Sequence, residues 1–296
     1  MELPYTRGKR IEGPGIMSLT TLVENLSFSE GPRWRNGRLY YSDFYRHVVE
    51  AVDLEGNVTT IAEVPNQPSG LGWLPDGRLL IVSMLDRKLL RQEPSGELVE
   101  HADLAGIATF HCNDMVTDNL GRCYVGNFGF DLENRDADRK AADLALVQPD
   151  GSVSVAAEGL KFPNGAVITP DGRTLIIGET MGQVLTAFDI ANDGSLSNRR
   201  EWAATKPHLP DGICLDAAGG VWIADPMNAC VVRFEEGGKL TDRVDTGQAA
   251  FACALGGDDG KRLFMLVADA SGSAAENSRT GRIVYTDVSE PGTGSP

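Results

Sequence analysis

The stretch FPNGAVITPDGRTLIIGET, residues 162–180, sets one carboxamide, Asn164, between a proline and a glycine at the mouth of an apolar run. The run AVIT then meets a PDG turn, and TLIIG follows as a second apolar strand. Two short apolar strands around an Asp-Gly turn read as a β-hairpin. A polar side chain at the same place in a single hairpin would be incidental. Here the arrangement recurs along the chain.

The recurrences are EGPRWRNGRLYYSD from Glu30, SGLGWLPDGRLLIVS from Ser69, NDMVTDNLGRCYVGN from Asn113 and DGICLDAAGGVWIAD from Asp211. A weaker sixth copy is FACALGGDDGKRLFMLVAD from Phe251. The turn glycines are Gly37, Gly77, Gly121, Gly172, Gly219 and Gly260, spaced about 40 to 50 residues apart, the period of a four-stranded propeller blade. Further alternating segments, such as HVVEAVDL, KLLRQEP, QVLTAFDI and CVVRFEE, fill the gaps. The last repeat lacks an outer strand, and SLTTLVENL, residues 18–26, has the alternation to supply it. The chain therefore reads as all-β: a six-bladed β-propeller of four-stranded blades, its ring closed by the N-terminal strand in the last blade, which removes open sheet edges. Residues 1–296 form one domain, with 1–16 as an N-terminal extension and 289–296 expected to be a disordered tail. The charged segment 131–145 reads as a surface loop with one or two helical turns, or as a lid.

Composition agrees. Hydrophobic residues are 42% of 296, enough for a core, and 34 Gly with 15 Pro supply many turns. A net charge of −15 argues against nucleic acid and anionic membrane as partners. No apolar run reaches spanning length, and the first residues lack the apolar segment of a secretory signal. The five cysteines form no CxxC pair and sit mostly in apolar runs, so they are read as reduced core residues of a cytoplasmic protein. A monomer or weak homodimer is expected.

Counting back eight residues from the turn glycine reaches Ser69, Asn113, Asn164 and Asp211; seven back in the first repeat reaches Glu30. Four of these five are followed by Gly. In a propeller the innermost strands surround the axis, so the five side chains converge. Two carboxylates and two carboxamides offer oxygen ligands suited to a hard divalent cation such as calcium. No His/Cys set has zinc spacing, which makes zinc the poorer match.

The motifs FSEGPRW, CNDMVTD, FPNGAVITPDG and PDGICLDAAGGVWIADP, in that order, resemble the SMP-30/gluconolactonase family across nearly the whole chain. The resemblance implies a six-bladed propeller, one axial divalent metal and lactone hydrolysis. It implies Glu30, Asn164 and Asp211 as metal ligands, Asn113 beside the substrate, and Asp211 as general base. Calcium is the usual ion of such proteins, with zinc, manganese or iron in some. The chain departs from the pattern at His111, where sugar-lactone members carry Arg. With Phe110, Met115 and Phe128 nearby, this points to a less polar γ- or δ-lactone. His111 either hydrogen-bonds locally or serves as substrate contact or proton acceptor, and His208 lies three residues before Asp211. The expected reaction is opening of a small lactone to its hydroxy acid, the metal polarising the carbonyl. Aryl esterase or phosphotriesterase chemistry on the same site, or a non-enzymatic calcium-binding propeller, are the alternatives.

Overall fold

The computed structural model describes residues 18–134 and 136–294. They form six four-stranded antiparallel sheets. Blade one comprises Ser29–Arg35, Arg38–Asp43, Val48–Val52 and Val58–Glu63, and blade two Pro68–Trp73, Leu79–Ser83, Lys88–Gln92 and Leu98–Asp103. Blade three comprises Cys112–Thr117, Cys123–Asn127, Ala142–Val147 and Val153–Leu160, and blade four Pro163–Ile168, Thr174–Glu179, Val184–Ile190 and Leu196–Ala204. Blade five has Ile213–Leu215, Val221–Asp225, Cys230–Glu235 and Lys239–Asp245. Blade six has Ala249–Gly256, Arg262–Ala268 and Gly281–Asp287, completed by Thr20–Leu26, which pairs antiparallel with Gly281–Asp287. The expected closure by the first strand is therefore observed.

The strands follow from alternation and turn chemistry. Along Leu79–Ser83 and Val221–Asp225 every residue is buried, because these second strands lie between neighbouring sheets. The hairpin turns repeat one device: an aspartate side chain accepts the backbone N–H two residues on. Asp118 accepts from Leu120 and Arg122, Asp171 from Arg173, and Asp216 from Ala218 and Gly220. A core lies between each pair of adjacent sheets. Val49, Leu71 and Ile81 join blades one and two, Val116, Tyr124 and Leu175 blades three and four, and Leu39, Phe264 and Leu266 blades six and one.

The inner strands approach one another so closely that a Cβ does not fit. A methyl on Gly165 would sit 2.4 Å from the Ile213 backbone nitrogen, and one on Gly70 2.4 Å from that of Met115. The same crowding meets Gly31 against the Ser69 carbonyl and Gly212 against Ala252. Backbone hydrogen bonds cross this seam, from Gly165 N–H to the Asp211 carbonyl (3.1 Å) and from Gly212 N–H to that of Phe251 (2.8 Å). In these four blades the glycine after the polar residue is thus a packing requirement.

Three expectations change or fall outside. Segment 131–145 carries no α-helix among the described residues, and its end belongs to the strand Ala142–Val147, in which every residue but Asp143 is buried. The tail up to Gly294 is docked: Ala217 N–H donates to the Pro291 carbonyl (2.7 Å), and Gly292 N–H to that of Gly260 (2.9 Å). Its polar composition reflects backbone pairing, which needs no apolar side chain. The expected extension over 1–16 lies outside the described residues.

Replacing Gly165 by Ala should destabilise the protein by about 3 kcal/mol, because the facing atoms are backbone and cannot turn away. Gly106→Ala, which faces open space, should change stability by less than about 0.5 kcal/mol. Denaturant titration of the two variants checks this; equal stabilities would show that the seam is looser than described.

Candidate metal and catalytic site

Each inner strand of blades one to four breaks register with its neighbour beside its polar residue. The irregularities fall between Glu30 and Arg33, Pro68 and Leu71, Cys112 and Met115, and Pro163 and Ala166. A bulge re-aims a side chain that strict alternation would leave on a sheet face. In blade five the inner strand is shortened instead, and Asp211 stands two residues ahead of it, its N–H donating to the Ala224 carbonyl (3.0 Å).

The structure brings the expected cation-binding residues together. The Asn164 amide donates to the Asp211 carboxylate and, at 3.3 Å, to the Thr180 hydroxyl, which itself donates to the Pro210 carbonyl (2.7 Å). Thr180 thus ties the blade-four loop to the segment presenting Asp211. Glu30, Asn164 and Asp211 are all buried, as are Asn113 and Ser69. Ser69 contributes through its backbone: its carbonyl accepts the Ser42 hydroxyl at 2.6 Å.

Burial pushes the Glu30 carboxyl well up, and the neighbouring Asp211 and Asp114 carboxylates raise it further. Asp211 is pushed up to about 8, chiefly by burial, with Asp114 and Asp225 adding and the Asn164 hydrogen bond opposing. Acids so close cannot all ionise without a positive partner. A divalent cation would relieve them, and the donors present are oxygens apart from the amide nitrogen already engaged with Asp211. The residues fit such an ion.

Asp114 and Arg33 were not among the residues singled out from sequence. Asp114 stands where four of the other blades have glycine, and that break in the pattern was the available signal. Its carboxylate accepts the Arg33 guanidinium at 2.7 Å, with both residues nearly fully buried.

At the mouth, the His111 ring stacks on Phe110 with centroids 4.0 Å apart and lies 6.3 Å from Phe128, which in turn tilts against Phe162 at 5.1 Å. Partial burial, more than Arg87, holds the His111 imidazole below its usual range, so it is neutral at pH 7 and free to accept a proton. Phe28, Phe44, Met84 and Phe251 form an apolar cluster joined by Phe128. Met115 does not reach this wall. It is fully buried among Leu74, Leu80 and Val82, because the bulge after Cys112 turns it into the seam between blades two and three. Loops of blades three and six, opposite members of the ring, meet where the Ser273 N–H donates to Glu133 at 2.5 Å.

A second cluster, His208, Asp225 and Cys230, is buried with its donor atoms within 4.8 Å of one another. His208 Nδ1 and Asp225 are in hydrogen-bond contact at 2.6 Å, too close to hold an ion between them. Asp225 also accepts from Met227, from the Asn228 backbone and from its side-chain amide. This group anchors the segment leading to Asp211. All five cysteines are free thiols.

Comparison with known proteins agrees with this architecture. The pentonolactonase XacC of Haloferax volcanii is 27% identical over 93% of this chain and 96% of its own length. The 6-deoxy-6-sulfogluconolactonase of Pseudomonas putida is 25% identical over 90% of this chain and 93% of its own. The calcium-binding protein regucalcin from Agrobacterium tumefaciens superposes with a TM-score of 0.79 at 21% identity, covering 95% of this chain and 97% of that one, which shows the shared fold. Residues 28–269 match the model of the SMP-30/Gluconolactonase/LRE-like region. With the six-bladed ring and the axial oxygen set on one chain, that match shows that the protein belongs to the SMP-30/gluconolactonase/LRE-like family.

Proposed function

We propose that the protein is a lactonase that opens a small γ- or δ-lactone to its hydroxy acid, with one divalent cation, calcium in the first instance, at the axial site. The observation that carries the proposal is the convergence of Glu30, Asn164 and Asp211 as a buried oxygen set whose carboxylates are held above their usual range. The names of two relatives spanning nearly the whole chain support the lactone as substrate. Glu30, Asn164 and Asp211 would hold the cation, whose contribution is Lewis-acid polarisation of the lactone carbonyl.

The chain's own groups do the rest. The Asn113 amide, at the same register on blade three, orients the carbonyl by hydrogen bonding. Asp211 takes a proton from the attacking water as the new C–O bond forms. The ring C–O bond then breaks, and the leaving alkoxide takes back from Asp211 the proton removed from the water, becoming the hydroxyl of the product. Ligation lowers a carboxylate's basicity, but Asp114 and Asp225 beside Asp211 act in the opposite sense. His111, neutral and set in the mouth, is the alternative acceptor.

The mouth argues for the less polar lactone. His111 stands where sugar-lactone members have Arg, and Phe110, Phe128 and Phe162 form one aromatic run beside it. Such a wall gains from burying methylenes and offers few partners for sugar hydroxyls. Relatives named for sugar lactones differ in substrate from what this wall selects. A panel of gluconolactone, an alkylated γ-lactone, an aryl ester and a phosphotriester, read by acid release before and after chelation and calcium add-back, tests both parts. The alkylated lactone should show the highest kcat/KM and lose it on chelation. A preference for gluconolactone of about 100-fold, roughly 2.7 kcal/mol of transition-state binding, rejects the apolar assignment, and turnover only of the phosphotriester or aryl ester rejects the lactonase.

Asp211→Asn keeps size and one oxygen. It should still bind calcium at raised concentration yet lose at least about 100-fold in kcat, the lower range for a positioned acid–base group. His111→Ala should lose less. Near-native turnover of Asp211→Asn at saturating calcium would make Asp211 a ligand alone and pass the proton to His111.

A further inference from the structure

Arg33 is nearly fully buried on the inner strand of blade one, yet its partner Asp114 is on blade three, two blades away. The two meet over Gly70 of blade two, where a Cβ would lie 2.8 Å from an Asp114 carboxylate oxygen. The guanidinium is fixed on both sides: one nitrogen donates to the Pro32 carbonyl at 2.9 Å, the other to Asp114 and to the Met115 carbonyl. Asp114 in turn accepts the Met115 N–H at 2.8 Å. Arg33 also lines a cavity of about 40 Å³ at the turn end of the axis, beside Cys214 and Cys253. It therefore stands between that cavity and the Asp114 carboxylate.

Charge makes this position consequential. Asp114 lies close enough to both Glu30 and Asp211 for its charge to raise their proton affinity, and Arg33 is the cation paired with Asp114. We propose that Arg33 is a positioning residue that fixes the charge of the axial site: by pairing with Asp114 it leaves two carboxylate charges, matched to a divalent ion, where the three acids alone would present three. The proposal rests on the reading of Glu30, Asn164 and Asp211 as cation ligands and adds the group that sets which charge they prefer. An unpaired extra negative charge attracts a trivalent ion half again as strongly as a divalent one, since Coulomb energy scales with the product of charges. Losing Arg33 therefore tilts the site toward trivalent ions. A guanidinium suits the place because its planar fork serves Asp114 and a carbonyl together.

The test is calorimetric titration of metal-free protein with calcium and with lanthanum, which needs no substrate. In Arg33→Met the lanthanum-to-calcium affinity ratio should rise at least about tenfold over wild type. Arg33→Met/Asp114→Asn, with both charges removed, should return to the wild-type ratio, and Arg33→Lys, which keeps the charge, should stay near it. Should Arg33→Met fail to fold, the wild-type ratio in the double variant together with a raised ratio in Arg33→Gln supports the same conclusion. A wild type that binds calcium, with unchanged ratios in Arg33→Met or Arg33→Gln, overturns the role of Arg33 and leaves the cation site standing. A wild type that binds neither ion overturns the cation site and this inference with it.

Discussion

Everything in this molecule depends on how closely its six inner strands approach the axis. Gly31, Gly70, Gly165 and Gly212 leave room for the neighbouring strand's backbone, or for Ala252, at distances no Cβ would allow. The residue before each glycine is Glu30, Ser69, Asn164 or Asp211. In four of the six blades fold and site are thus set by one dipeptide: its second member closes the seam and its first member furnishes the axis. The cross-blade bond from Gly165 N–H to the Asp211 carbonyl shows the coupling directly, since the group that seals blades four and five also fixes a candidate ligand.

The electrostatic consequence follows from the same crowding. Carboxylates brought to one axis and taken out of water resist ionising, and the chain answers with one buried cation of its own, Arg33, and with the amide of Asn164. What those two leave uncompensated is the charge available to a bound ion. Stability of the empty ring is thereby set against function, because the acids that would hold an ion are the ones that strain the site without it.

The architecture was legible because its signals are local. Turn glycines at blade spacing, Asp-containing hairpin turns and alternating strands all act within a few residues, and the first strand's role followed from the gap in the sixth repeat. The count from the turn put Glu30, Ser69, Asn113, Asn164 and Asp211 at one register, and the choice of Glu30, Asn164 and Asp211 among them as cation ligands came from the family resemblance. The Arg33–Asp114 pair was not, since its partners are 81 positions apart and meet only once three blades have assembled. Met115 looked like part of the mouth because a bulge shifts side chains without any mark in composition. The docked tail escaped notice because it is held by backbone hydrogen bonds, which any sequence can make.

The central claim is that the axial acids are held out of their ordinary range by one another and by burial, and that a divalent cation relieves them. Asp211 binds a proton in the folded state up to about pH 8, against 3.8 for its unperturbed carboxyl. Its folded-state pKa is raised, so its contribution to stability is present at low pH and is lost as pH rises through that window. Thermal unfolding of the metal-free protein between pH 5 and about 9, with and without saturating calcium, measures the claim directly. The metal-free Tm should fall across this range relative to the calcium-loaded Tm, so the gap between the two curves widens as the acids give up their protons. A gap that is absent, or that stays constant with pH, would contradict the account.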